Sequence, residues 1–174
     1  MASRRATPTK VRYAELHCLS NFSFLRGASH PAELVATAAE LGYAGLALTD
    51  ECSLAGVVRA HTAAKRAKLD LVIGSEILFA EGLKVVVLAA DRRGYAALCR
   101  LITRARRAAV KGEYRAGRED LVDCLESSNC PILWIPDAHC ATRASLLTTG
   151  RWLAERFARR VWLAVELMGG GNDR

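Results

Sequence analysis

The sequence predicts an α/β fold with mainly parallel strands, open or closed into a barrel. Three observations carry this. Strand-like and helix-like segments alternate along the 174 residues, with connections of mostly ordinary length. The run Val85-Val-Val-Leu88 is continuously apolar, the habit of a strand buried on both faces in a parallel sheet. Six strand segments fall short of an eight-stranded barrel, which takes roughly 200 residues or more, so the chain reads as part of a larger barrel.

The elements follow in order. A basic, polar tail covers residues 1–10, and a first strand fits Tyr13 to His17. A helix runs from about Pro31 to Leu41, with Pro31 in its first turn, Gly42 as its stop, and Leu34, Val35, Ala38 and Leu41 on one apolar face. Gly45 to Leu48 is a short strand. The next helix spans about Leu54 to Ala67 with Leu54, Val57, Val58 and His61 on one side, followed by strands at Leu69 to Ile73 and Lys84 to Ala89. A long basic helix covers about Arg93 to Val110. Tyr95, Leu98, Ile102 and Ala105 face the core, while Arg100, Arg104, Arg107 and, one turn on, Lys111 share another side. A helix at Glu119 to Leu125, a strand at Ile132 to Ile135, a helix at Arg143 to Phe157 and a strand at Val161 to Leu167 complete the pattern.

Composition narrows the function. Apolar residues make up 51% and charged residues 25%, and no apolar run is long enough for a membrane span. No apolar segment behind the basic start suggests a secretory signal. The six cysteines form no CxxC pair and read as reduced thiols of a cytoplasmic protein; a zinc site at Cys130, His139 and Cys140 is the weaker alternative. Net charge is +7, and residues 91–118 account for all of it, with nine Lys or Arg against Asp91 and Glu113. Such a stretch suits the nucleic-acid backbone, with a solvated helix face as the alternative.

Chemistry in α/β folds gathers at the C-terminal ends of strands. Glu15, His17, Thr49, Asp50, Glu51, Glu76 and Glu166 fall at or near such ends. Oxygen ligands and an imidazole could hold divalent metal there, and a phosphoesterase could use it to activate water. Of the four histidines, His17, His30, His61 and His139, only His17 sits where a ligand should. Asp50 is expected to cap the turn before the Leu54 helix, His61 to pack along its helix, and Phe22 and Phe24 to pack in the core or a loop.

The segment Tyr13-Ala-Glu-Leu-His-Cys-Leu-Ser-Asn-Phe-Ser-Phe-Leu-Arg-Gly27 is similar to the opening motif of PHP domains in bacterial DNA polymerase III alpha subunits. Thr49-Asp-Glu-Cys-Ser-Leu-Ala-Gly56 resembles the second motif, Thr-Asp-His-x-x-Leu-x-Gly, and Ile73-Gly-Ser-Glu76 the third. Val87 to Tyr95 and then Leu98-Cys-Arg-Leu101 resemble the strand and helix after it. The resemblance covers roughly residues 11 to 170, and it implies a PHP-type distorted TIM-like (β/α) barrel, truncated, with residues 11–174 as a partial domain.

The departures shape the functional expectation. His17 stands at the first histidine of the family's His-x-His, but Leu19 takes the second. Arg26 replaces a metal-binding aspartate, Glu51 a histidine, and Lys84 another histidine, while Glu76 matches. A histidine expected just after Glu166 is glycine, near Gly170. Cations at Arg26 and Lys84 repel a metal, and salt bridges from Glu51 to either could replace it. The pattern resembles the error-prone branch, which implies that the full protein is a DNA-directed DNA polymerase, a nucleotidyltransferase used in translesion synthesis and DNA damage repair. Mg²⁺ is expected for that polymerase. Its partners would be DNA, the remaining polymerase domains, the sliding clamp and other damage-response proteins, with no membrane. The fragment would then be structural, with no catalytic residue, no metal and no cofactor of its own. The alternatives are a metal-dependent PHP phosphoesterase and a non-sequence-specific nucleic-acid-binding module using Arg100, Arg104, Arg107 and Lys111.

Overall fold

The computed structural model describes residues 12–136 and 142–166. The tail at 1–10, His139 and Cys140 of the alternative zinc site, the end of the last strand and the glycine near position 170 lie outside them. The described elements are β1 (Ala14–Cys18), α1 (Pro31–Glu40), β2 (Gly45–Leu48), α2 (Val57–Ala67), β3 (Asp70–Leu78), β4 (Lys84–Leu88), α3 (Arg92–Arg107), α4 (Arg118–Leu125), β5 (Ile132–Ile135), α5 (Arg143–Arg156) and β6 (Val161–Leu163).

The strands form one sheet in the order β1-β2-β3-β4-β5-β6. It curls through about 199° around an axis and so forms a half-barrel. β1, β2 and β3 are parallel, as are β5 and β6. β4 is antiparallel to both its neighbours, contrary to the parallel reading of its apolar run. The cause is its connection. β3 reaches Leu78, beyond the expected Ile73, and Phe79 to Leu83 return the chain through a tight turn with Gly82 at φ +75°. A link this short can only make a hairpin. Burial on both faces made β4 look parallel.

Each sheet face has its own partners. Leu46, Leu48, Leu71 and Ile73 pack against α1 and α2. Ile77, Val85, Val87, Ile132 and Trp134 pack against α3, α4 and α5. The opposite face bears Ala47, Val72, Val86, Leu88, Leu133 and Ile135, a cluster without helical members, which lines the lumen.

The helices sit where expected, but their buried stripes shift toward small residues. α2 buries Val57, Ala60 and Ala64, while Val58 and His61 are exposed. α1 buries Pro31, Val35 and Ala38 and leaves Leu41 60% exposed. α3 buries Gly94, Ala97, Leu98, Leu101 and Ala105, with Ile102 half-buried and Tyr95 on the surface. Alanines allow close approach of helix to sheet, which turns larger neighbours outward.

Candidate functional site: an ion-paired cluster at the mouth of the half-barrel

β1 carries one more residue than β2 between Glu15 and Cys18, a bulge that breaks the strand's alternation. Cys18 still packs toward α1 and α2, and His17 reaches across the lumen to Glu76 on β3, its Nε2 2.8 Å from the carboxylate. Glu76 is only 1% exposed. It sits beyond the last β2–β3 pair, where Glu76 N donates to the Thr49 carbonyl and Cys52 N to the Glu76 carbonyl.

The other ring nitrogen of His17, Nδ1, meets the carboxylate of Glu166, just past β6. A neutral imidazole has one N–H, so two carboxylate partners select the doubly protonated imidazolium. Burial opposes that charge, but the hydrogen bonds to Glu76 and Glu166 outweigh it and raise the His17 pKa above its ordinary value. Burial also opposes ionisation of Glu76, yet His17 and Arg26 hold its pKa down at about 2.

The Arg26 guanidinium lies between two carboxylates. It contacts Glu76 through Nη1 and, at 3.2 Å, through Nη2, and donates from Nη1 to Glu51 at 2.8 Å. Glu51 also accepts from the Tyr114 hydroxyl at 2.8 Å, which in turn accepts from Leu78 N. Arg106 stacks 5.3 Å from the Tyr114 ring centre and donates to the carbonyls of Cys52 and Glu51. Two cations, Arg26 and protonated His17, thus face three carboxylates.

A rigid loop aims Arg26. The buried Asp50 carboxylate accepts from Ser20 N, Ser20 Oγ and Ser23 Oγ, each at 2.7 Å. Asp50 does not cap the following helix; α2 has Gly56 at its N-cap and no side-chain cap. Ser23 Oγ accepts from Glu51 N, and the Ser23 carbonyl accepts from Arg26 N and Gly27 N. A Cβ on Gly27 would lie 2.0 Å from the Ser20 carbonyl oxygen, so this turn excludes any larger residue. Phe22 packs beside Gly56, with Arg59 over its ring. Phe24, expected to pack, is 84% exposed.

The remaining candidate residues are placed as follows. Leu19, half-buried past β1, brings no donor atom. Lys84 opens β4 opposite Leu78 and Ile135, and no described acidic side chain pairs with it. Glu15 accepts from Tyr13 and His17 N and stays out of the cluster. On α3, Arg104 pairs with Asp120 at 2.5 Å and with Asp123 at 2.8 Å, and Arg100 reaches the Cys124 carbonyl. Arg100, Thr103, Arg104 and Arg107 line one shallow surface groove, and Lys111 is exposed beyond it. Ser20, Ser23, Tyr114 and Arg106 belong to the site's frame and were not singled out from sequence.

A half-barrel sheet with helices outside and polar side chains at one mouth defines a PHP-type domain, and the PHP domain family matches residues 15–135, more than half of the chain. The chain belongs to the PHP domain family. It is 55% identical over 164 residues to the error-prone DNA polymerase of Dechloromonas aromatica and 56% identical over 168 residues to that of Methylococcus capsulatus. The matches take in 92% and 97% of the chain but only 16% of either polymerase, so the chain spans a small part of its relatives' length. An amidohydrolase structure from Chromobacterium violaceum shares the fold at a TM-score of 0.63 and 18% identity, covering 85% of this chain and 75% of that one.

The motif positions His17, Glu51 and Glu76, by their resemblance to the family's pattern, imply a divalent metal at the mouth. The residues here do not fit one. Both His17 nitrogens are taken by carboxylates, and Arg26 fills the space between Glu51 and Glu76. Among the described residues, no group of three or more His, Cys, Asp or Glu side chains is arranged to hold a metal ion.

Proposed function

We propose that the chain serves as the N-terminal PHP domain of an error-prone DNA polymerase, spanning residues 11–174 of a larger barrel. In it, an ion-paired cluster stands at the positions where the family's motif implies metal ligands. The observation that carries this is Arg26 bridging Glu51 and the buried Glu76. The guanidinium and the imidazolium supply two positive charges to the carboxylates without open coordination positions. The domain's role is then structural. Chemistry belongs to the remainder of the polymerase, with Mg²⁺ there and DNA, the sliding clamp and damage-response proteins as partners. The relatives named error-prone DNA polymerase support this reading. A cytoplasmic setting fits the five described cysteines, all unpaired thiols. No described helix is long and apolar enough to cross a membrane.

Purified chain supplied with Mn²⁺ or Zn²⁺ is expected to hydrolyse no phosphodiester. Hydrolysis that needs the metal and disappears in His17→Ala would overturn the structural assignment in favour of a phosphoesterase.

A further inference from the structure

We infer that the exposed side of α2, with the cleft at its C-terminal end, is a binding face for single-stranded nucleic acid. Arg12, Arg59, Lys65, Arg66 and Lys68 meet its phosphates, and Tyr13 stacks on a base. The cleft lies at the start of β2 and β3, the opposite end of the sheet from the ion-paired mouth, and the face belongs to a different helix from the arginines of α3.

α2 buries Val57, Ala60 and Ala64. Its other side carries Val58, Arg59, Thr62, Lys65 and Arg66, all exposed, and residues 57–68 contain four cationic and no acidic side chains. Arg59, Thr62 and Arg66 follow at spacings of three and four, which puts them in one row. Helix stability explains only part of this. Lys65 and Arg66 complement the negative end of the helix dipole, but Arg59 stands in the first turn, where a cation is unfavourable. Among the described residues no carboxylate forms an ion pair with any of these cations or with Arg12. The α3 stripe differs, since Arg104 there is held by two aspartates.

Lys68 closes the helix at φ +54°, a left-handed cap position that glycine usually takes. Residues held in that conformation gather at functional positions. Lys68 lines a cleft of about 370 Å³ with Arg12, Tyr43 and Asp70, where the two cations outnumber the acid. Tyr43 holds the Tyr13 ring edge to face, centroids 4.7 Å apart, and Glu15 accepts from the Tyr13 hydroxyl at 2.7 Å. The ring is thus fixed, yet Tyr13 stays 51% exposed. A fixed, open aromatic ring beside unpaired cations suits a single strand, whose bases stack on the ring while the cations track its backbone. A duplex hides its base faces and an acidic peptide has none, so either would use the charge alone. From Arg59 to Lys68 the cations span about 14 Å of helix axis, room for more than one phosphate.

The test is fluorescence anisotropy of a labelled oligothymidylate with the purified chain across a salt series. Lys65→Ala with Lys68→Ala is expected to weaken binding and to reduce the magnitude of the salt slope by about 1.4, at roughly 0.7 per phosphate on a single strand. Tyr13→Ala is expected to lower affinity about 5- to 100-fold at an unchanged slope, and Tyr13→Phe to restore most of it. Both lysines are exposed, so their variant carries the test even where Tyr13→Ala unsettles β1. No binding at low salt, or unchanged affinity and slope in the lysine variant, overturns the inference. Binding lost wholly in Arg100→Ala with Arg107→Ala overturns it in favour of α3. Equal affinity for a duplex of the same length, or displacement of the oligothymidylate by polyglutamate at equal charge, overturns it in favour of a general polyanion surface.

Discussion

Single residues carry the site's precision, and Gly27 is the sharpest case. Its missing Cβ would fall 2.0 Å from a backbone oxygen, so Gly27→Ala must displace the loop that aims Arg26. A cost of about 2 kcal/mol is expected, as for other overpacked positions, measured as a shift in the urea midpoint. Arg26→Ala leaves Glu76, 1% exposed, with His17 alone. The penalty for orphaning a fully buried charge is larger, but Arg26 is 37% exposed and water can partly replace it, so about 2 kcal/mol is expected. From sequence, the resemblance places a cation at Arg26 and a matching acid at Glu76, and it leaves Glu51 with either Arg26 or Lys84 as partner; the structure gives Glu51 to Arg26. Ser20 and Ser23 fall within the segment similar to the family's opening motif but had no assigned role there, and Tyr114 and Arg106 left no trace, because a tyrosine or arginine in a buried network reads the same as a solvated one.

Elements show why pattern reading succeeds in part. Most strands and helices were legible as elements, since each apolar segment keeps its period. The second half of β3 was not, because Gly74, Ser75 and Glu76 interrupt the apolar run with residues that serve the site: Ser75 Oγ donates to the Asp50 carbonyl and Glu76 takes the cations. The bulge in β1 was equally hidden, since its signal is pairing register and not composition. The connection from 79 to 83 carried the antiparallel turn, outvoted by the valines of β4. α3 is anchored by fully buried Leu98 and Leu101. Leu101→Ala is expected to cost about 3 kcal/mol, read by chemical denaturation, while Tyr95→Ala on the same helix should cost far less. Its outer side is the proposed DNA-backbone stripe. Arg104 is spent largely on Asp120 and Asp123, so Arg100, Arg107 and Lys111 are left to face phosphate. If they do, Arg100→Ala with Arg107→Ala in the full-length protein lowers DNA affinity and reduces the salt slope by about two. Unchanged binding across a salt series would assign the stripe to solvent or to an interdomain contact.

At the scale of the whole molecule, the cluster joins the two edges of the sheet. His17 lies in β1 and Glu166 just past β6, 149 residues apart, and they meet across the mouth beside Glu76. The curl of the sheet brings them together, and no local pattern announces it. The cluster also sets a pH window. Glu76 has its pKa lowered from 4.5 to about 2, so its contribution is present above 4.5 and is lost as pH falls toward 2. His17 has its pKa raised from 6.5, so its contribution is present below 6.5 and is lost as pH rises through the raised value. Stability from the cluster should therefore be greatest between pH 4.5 and 6.5. His17→Gln should remove the alkaline fall, whose slope is at most about 1.4 kcal/mol per pH unit for one proton.

The central claim is that charged side chains stand in place of a metal. The most direct measurement is the denaturation midpoint of the chain at pH 7 across a titration of Mn²⁺ and of Zn²⁺. A metal that binds the folded site raises stability in proportion to the logarithm of its concentration. With His17 and Glu76 already committed to Glu166 and Arg26, the midpoint is predicted to stay constant in both titrations. A midpoint that climbs with metal concentration, and stops climbing in His17→Ala, would contradict the account.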